Sequence, residues 1–515
     1  MDARHGPGME ERTVSGVSVQ VHEDNRVIAN NGVSVLVDDD ASGLVSQGAS
    51  GRGVVVRGAV PRWPALVRRS MRSRRMEPLA STTRQMRGVA LAEARPSTTT
   101  AGLALGVDVE SGCPIFHDPF TLYGNDGFSS PNIVTFGDLG SGKSVSAKTW
   151  VLRNLMVGRR VVIVDKKLQA LGDGTRAGEY STLARTLGYT PITLKVGGGG
   201  TRINILDPLI AGESIDGVAG QQLLLETVAS AAVGRSLNER ERKALRVARE
   251  SATRVAERQG RVAHVGDVTQ FLLEPVEQSM PGISSADVLA EWGRDVAFAL
   301  ERMVTEELAG LIDGPTSEGV NVSGALTVFD ISSLPDEGAA VGIMMSVLNT
   351  WLHAMIARSR ETVPTLFVVD EAWHVTEGDF ARIARKNAKL ARGLGISNMT
   401  ILQHPGDISP DSPAISMIKE SQTAFVFRQD KADDAVAVCE LFGWDVGEWA
   451  PLLQNLGTGI CVVKIGGGRP LVCSWMVSDF ELSVATTDAA MKSRATLTDA
   501  FHSLNDDEKE ASHGQ

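Results

Sequence analysis

The chain has 515 residues, enough for about three domain-sized units. Its 62 acidic and 51 basic residues leave a formal charge of −11, which excludes a wholly basic nucleic-acid coat but permits a local basic stripe. A hydrophobic content of 43% with 22% charged residues suits a globular protein and excludes a mainly disordered one.

Residues 1–100 are weakly patterned. VSVQVH and VSVLVD read as short strands with an NNG turn between them. The opening MDARHGPGMEERT has no apolar core of the secretory kind. Residues 62–88 then hold eight arginines and one acid, Glu77. This segment reads as a solvated linker, with a patch for nucleic acid or an anionic membrane as the alternative. The four cysteines are scattered along the sequence with no C-x-x-C spacing, so neither a zinc site nor a disulfide framework is expected, and a reducing cytoplasm fits.

From residue 101 the texture changes to apolar β-branched runs alternating with helical patterns. IVTF (133–136), RVVIVD (160–165) and ITLKV (192–196) read as strands, with helices over 145–157 and around 179–187. Residues 212–316 read as amphipathic helices. Strands return at LTVFDI (326–331), TLFVVD (365–370), MTILQ (399–403), TAFVFRQ (423–429), GICVVKI (459–465) and LVCSWMV (471–477). The long apolar stretch 339–357 carries Ser346, Asn349, Thr350 and His353 at helical spacing, so it reads as a core helix rather than a membrane span. The implied fold class is α/β: a mostly parallel sheet covered on both faces, split by a helical insertion. The expected division is a weakly patterned N-terminal region 1–100, a core in two parts (101–211 and 317–490) around the insertion 212–316, and a polar tail 491–515.

Gly137-Asp138-Leu139-Gly140-Ser141-Gly142-Lys143-Ser144 matches G-x-x-x-x-G-K-[ST] and lies between an expected strand and an expected helix. Glycines at these places let successive backbone N–H groups turn inward around a phosphate, at the positive end of a helix. Lys143 is then expected on the β- and γ-phosphates of ATP and Ser144 on Mg2+. Asp370-Glu371 follows the run TLFVV, where an acid can reach the metal and its neighbour the attacking water. That assignment gives Asp370 to Mg2+ and Glu371 to the water, and implies hydrolysis. Gln403, at the end of the next strand, is placed to sense the γ-phosphate without adding negative charge. His404 beside it stays unassigned. Arg392, near the end of the basic helical stretch 382–395, either complements a helix C-terminus or contacts phosphate, DNA or a neighbouring subunit. Arg428 is a second candidate for a finger acting on a neighbour's nucleotide.

In order along the chain, NIVTFGDLGSGKS, VVIVDKK, RINILDP, LTVFDISSL, FVVDEAWH, KLARGLGISNMTILQHPGDI, TAFVFRQ and GTGICVVKIGG resemble the TraC-like ATPases of conjugation and type IV secretion, within the HerA–FtsK group of P-loop motors. The resemblance covers roughly residues 101–490. It implies a RecA-like ATPase core working as a homo-hexamer with ATP and Mg2+, peripheral to the membrane through other channel components. Lys143, Ser144, Asp370, Glu371, Gln403 and Arg392 fall on the family's nucleotide, metal, acidic-pair, sensor and basic positions. Two departures stand out: the N-terminal region is shorter than the family's docking domain, and Arg392 is followed by Gly393 where Arg-Lys is usual. The alternatives are a DNA-translocating pump or coupling protein, distinguished by DNA-stimulated turnover, and a nucleotide-gated structural component with little turnover. No LSGGQ-like or N-K-x-D segment points to an ABC ATPase or a GTPase.

Overall fold

The computed structural model describes residues 102–123, 128–170, 175–197, 200–211, 215–276, 285–359, 362–376, 378–409 and 411–485, together with five short strands between residues 9 and 46. The chain divides into two compact units, residues 1–93 and 94–515.

In the first unit, β1 (Met9–Val14), β2 (Val17–His22), β3 (Arg26–Ile28), β4 (Ser34–Leu36) and β5 (Val45–Ser46) form an antiparallel meander in sequence order. The two expected strands are present as β2 and β4. They are not joined by one turn, because β3 lies between them and pairs with both. The arginine-rich segment 62–88 and the tail 491–515 lie outside the described residues.

The second unit is built on an eleven-stranded sheet. Seven strands run parallel: β12 (Ile192–Thr193), β13 (Leu326–Asp330), β9 (Arg160–Asp165), β14 (Thr365–Val369), β15 (Ile396–Leu402), β8 (Ile133–Phe136) and β16 (Thr423–Val426), in that spatial order. Four antiparallel strands continue beyond β16: β17 (Ile460–Ile465), β18 (Leu471–Trp475), β6 (Leu103–Asp108) and β7 (Pro114–His117). A separate hairpin joins β10 (Leu168–Ala170) to β11 (Arg176–Gly178).

Alternation along each central strand explains the continuous apolar runs. Val162 and Val164 enter the core on one face of β9, while Val161 and Ile163 enter the core on the other. Phe367 of β14 joins the first core, and Leu366 and Val368 join the second. Both faces are therefore covered, as parallel strands require.

One cover consists of α1 (Lys143–Met156) and α2 (Glu179–Thr186), which bury Trp150, Val151, Tyr180 and Leu183. The other carries the helical segment α3 (Ile215–Val233), α4 (Glu239–Arg258), α5 (Val265–Leu273) and α6 (Ala286–Arg302), followed by α7 (Ala340–Arg358). The first turn of α4 is fixed by a reciprocal cap between Asn238 and Glu241. Helix α7 is apolar and long enough to cross a membrane, yet most of it is packed inside this core. Further helices are α8 (Gly378–Ala391), α9 (Pro413–Glu420), α10 (Ala432–Phe442), α11 (Val446–Gln454) and α12 (Asp479–Ala485), besides single turns at Pro119–Leu122 and Pro208–Ala211.

Three expectations need correction. The stretch 192–196 contributes only Ile192–Thr193, because β12 is the sheet edge and pairs solely with the end of β13. The strand expected at 399–403 starts earlier, at Ile396. The strand at 423–429 ends at Val426, where the chain leaves the sheet for the phosphate loop.

Candidate nucleotide-binding site

In parallel strands all carboxyl ends point the same way, so the residues after β8, β9, β13, β14, β15 and β16 meet along one edge. Residues 137–144 follow β8 and run directly into α1. Gly142, the N-cap of α1, has φ 99° and ψ 1°, and a Cβ there would lie 2.7 Å from the backbone nitrogen of Gly459. Only glycine fits both demands. The segment before β17 buttresses the loop: Gly459 N donates to Ser141 O (2.9 Å) and Thr458 Oγ1 to Gly140 O (3.1 Å). Ser141 Oγ closes the loop on Asp138 O (2.7 Å).

The loop and the acidic pair converge. Lys143 Nζ donates to the carbonyl of Leu402, the last residue of β15, at 3.0 Å. Burial lowers the Lys143 pKa, opposed by the nearby carboxylates of Asp370 and Glu371. Asp370 is buried at the end of β14, between β9 and β15. Its pKa rises to about 6, first through burial and then through Glu371 and Glu179, with Lys143 and Lys167 opposing. Its Oδ1 accepts from Glu371 N at 3.0 Å.

Glu371 has φ 50° and ψ 44°, and it alone among the described non-glycine residues takes a positive φ. A left-handed acidic residue at the end of a core strand is a strained placement of the kind found at working sites. It turns the carboxylate into an open cleft of about 810 Å³ also lined by Lys166, Lys167, Ser332, Trp373 and Gln403. Gln403 Nε2 donates to both carboxylate oxygens, at 2.8 and 3.0 Å, and Trp373 Nε1 donates to Oε2 at 3.0 Å.

The two arginines part company. Arg428 follows β16 beside the loop: its carbonyl accepts from Asp138 N (3.1 Å), and its Nε pairs with Asp430 Oδ1 (2.7 Å). Arg392 lies before β15, at the opposite ends of the strands, with Nη1 3.3 Å from Ser129 O. There it lines a cavity of about 380 Å³ with Arg385, Lys389, Lys419 and Lys464. It is not brought to the phosphate loop of its own chain.

Sequence reasoning missed several residues that the fold places here. Lys167 Nζ is 3.3 Å from Ser144 Oγ and 2.9 Å from Glu179 Oε2, and the other Glu179 oxygen pairs with Lys148 Nζ at 2.9 Å. Asp165, at the end of β9, stands between Asp330 at the end of β13 and Asp370 after β14, and all three are buried. Burial and the neighbouring Asp370 and Asp330 push Asp165 well above the usual carboxylate range. His404 Nδ1 lies 3.1 Å from both Asp138 Oδ1 and Asp434 Oδ2, tying the loop to α10. Of these, only Lys167 had a sequence cue, in the run Asp165-Lys166-Lys167 at a strand end.

The set suits an anionic phosphate with a hard cation. Loop amides and Lys143 offer positive charge; the Ser144 hydroxyl and Asp370 carboxylate are oxygen donors of the kind Mg2+ takes. Lys167 Nζ donates to Ser144 Oγ at 3.3 Å, so a cationic group already lies against this oxygen. Glu371 and Gln403 supply a fixed carboxylate and amide facing the cleft.

No family model matches the chain, and no curated protein matches it. Solved structures do. VirB4 of Thermoanaerobacter pseudethanolicus superposes with a TM-score of 0.62 at 21% identity, covering 75% of this chain and 98% of VirB4. The plasmid coupling protein TrwB, in complex with the non-hydrolysable ATP analogue ADPNP, gives a TM-score of 0.48 at 14% identity over 78% of this chain and 93% of TrwB. TrwB with ADP and Mg2+ gives 0.47 at 15% identity over 74% and 91%. With its strand order, its phosphate loop and the extent of the VirB4 superposition, this chain has the fold of the P-loop NTPases.

Proposed function

We propose that the protein is an ATP-hydrolysing motor of the kind that energises conjugative DNA transfer or type IV secretion, working as a homo-hexamer with other channel components. The observation that carries the reading is the convergence of Lys143 and Ser144 with Asp370, Glu371 and Gln403 at one sheet edge. The fold shared with VirB4 and the ordered motifs resembling TraC-like ATPases support it. In this reading residues 101–211 and 317–490 form the motor core around an insertion 212–316. The protein works on the cytoplasmic side of the membrane.

Residues 137–142 wrap the phosphates with backbone N–H groups, and Lys143 leaves the Leu402 carbonyl for the β- and γ-phosphates. Ser144 and Asp370 would hold Mg2+, which when bound would offset the negative charge of the phosphates. Glu371 accepts the proton of the attacking water. Gln403 keeps the Glu371 carboxylate aimed and registers the γ-phosphate. Arg428, beside the loop, acts within its own subunit. Arg392, on the far edge, acts on the nucleotide of a neighbour.

The test is hydrolysis of ATP by the full chain. Lys143→Ala should abolish nucleotide binding. Glu371→Gln should retain binding and lose at least a hundredfold in turnover, the usual worth of a general base. Unchanged hydrolysis in either variant rejects the site. A coupling protein or DNA pump is the second reading, favoured by the cationic cavity around Arg392. Turnover stimulated by DNA, with steep salt dependence, selects it over the first.

A further inference from the structure

Lys167 occupies a position that neither the phosphate loop nor the acidic pair explains. It follows β9, and its Nζ bridges Ser144 Oγ at 3.3 Å and Glu179 Oε2 at 2.9 Å. The tether is itself anchored. Glu179 Oε1 is gripped by Lys148, which is buried and donates to the Ala485 carbonyl at 3.0 Å. Burial alone would raise the Glu179 pKa, but the two lysines outweigh it and hold the carboxylate ionised. The Lys167 backbone is fixed as well, because its N–H reaches Asp165 Oδ1 at 3.3 Å.

Two further facts bear on the metal. Among the described residues, no three or more acidic, histidine or cysteine side chains form a cage able to hold a metal ion. Mg2+ usually takes only one or two protein ligands and completes its shell with phosphates and water. An ammonium and a dication also repel strongly when they share one hydroxyl oxygen.

We propose that Lys167 is the built-in counter-ion of the metal position: held on Ser144 by Glu179, it bars a free divalent cation and yields only to one arriving with a polyphosphate. The negative charge of the phosphates offsets the repulsion that the metal alone would meet. Metal entry thereby becomes contingent on nucleotide. The proposal rests on Ser144 as a metal ligand, and it makes Lys167 a positioning residue rather than a catalytic one.

Electron paramagnetic resonance titration of the full chain with Mn2+, with and without ADP, tests it. Without nucleotide, wild type and Lys167→Arg should bind Mn2+ weakly. Lys167→Ala and Lys167→Gln should bind it at least tenfold more tightly, and adding Ser144→Ala should remove the gain. With ADP present, all the Lys167 variants should fall within a fewfold of wild type. If neither Lys167→Ala nor Lys167→Gln tightens Mn2+ alone, while Ser144→Ala still weakens Mn2+ with ADP, the counter-ion role is wrong and the site stands. If Ser144→Ala leaves Mn2+ with ADP unchanged, the metal assignment falls and this proposal with it.

Discussion

Asp370 carries a cost in stability at neutral pH. Its carboxyl is buried, and its pKa lies at about 6 against 3.8 for an ordinary aspartate, chiefly through burial and secondarily through Glu371. The folded state therefore holds a proton that the unfolded chain releases, over the window between 3.8 and about 6. Stability falls as pH rises through that window, because ionised Asp370 is disfavoured inside the fold. That difference in pKa corresponds to at most ~3 kcal/mol. Asp370→Asn should raise unfolding stability by up to that amount at pH 7.5, and by about half as much at pH 5, measured by urea titration. The same variant should lose hydrolysis. A variant no more stable than wild type at pH 7.5 would show that the burial penalty is met in some other way. Glu371 bears a separate cost, a left-handed backbone at a β-strand end, of roughly 1–3 kcal/mol. Gln403 and Trp373 hold that strained residue on the cleft side.

At the scale of elements, the phosphate loop separates two kinds of glycine. Gly140 has φ 75° with open space around the position of a Cβ, whereas Gly142 has φ 99° and meets Gly459 at 2.7 and 2.9 Å. Gly140→Ala should therefore cost about 1 kcal/mol of backbone strain and weaken nucleotide binding by roughly tenfold or less. Gly142→Ala must also push away the backbone that braces the loop, so nucleotide binding should vanish in calorimetry. Equal losses in the two variants would show that the Gly459 contact is not what fixes the loop. The loop and the parallel strands were legible in the sequence because both depend on local pattern: β-branched runs buried on two faces, and glycines between a strand and a helix. The antiparallel wing was legible only by half: β17 and β18 stood out as apolar runs, whereas β6 and β7 did not. Strand β7 has only four residues, β6 is interrupted by Gly106, and β6 pairs with β18, more than 350 positions away in sequence. The Thr458–Gly459 brace and the Lys167–Glu179–Lys148 chain were hidden for the same reason, since each joins segments that only the fold brings together. The glycine run 466–468 closes the β17–β18 hairpin, which sets Cys461 opposite Cys473 as buried thiols.

For the whole molecule, the decisive feature is that the two candidate arginines stand at opposite ends of the same strands. A residue at the start of β15 cannot serve a phosphate loop at the end of β8, because the two strands run parallel with Leu402 level with Phe136. Sequence reasoning could not rank Arg392 and Arg428, since both flank strands and only the strand direction assigns them to an edge. The cavity around Arg392 gathers Arg385, Lys389, Lys419 and Lys464 with one acid, Glu420. None of these five cations forms an ion pair with a carboxylate among the described residues. In the proposed hexamer, such a face would meet the polyphosphate of an adjoining copy arranged head to tail. Mixing variants tests it. Lys143→Ala and Arg392→Ala should each be inactive alone. Combined in equal amounts and allowed to assemble, they should recover roughly a quarter of wild-type turnover, because about one interface in four unites an intact loop with an intact arginine. Lys143→Ala mixed with Arg428→Ala should recover nothing, since Arg428 sits beside the loop of its own chain. Recovery in the second mixture and not the first would exchange the roles of the two arginines and reverse the face on which neighbouring copies meet.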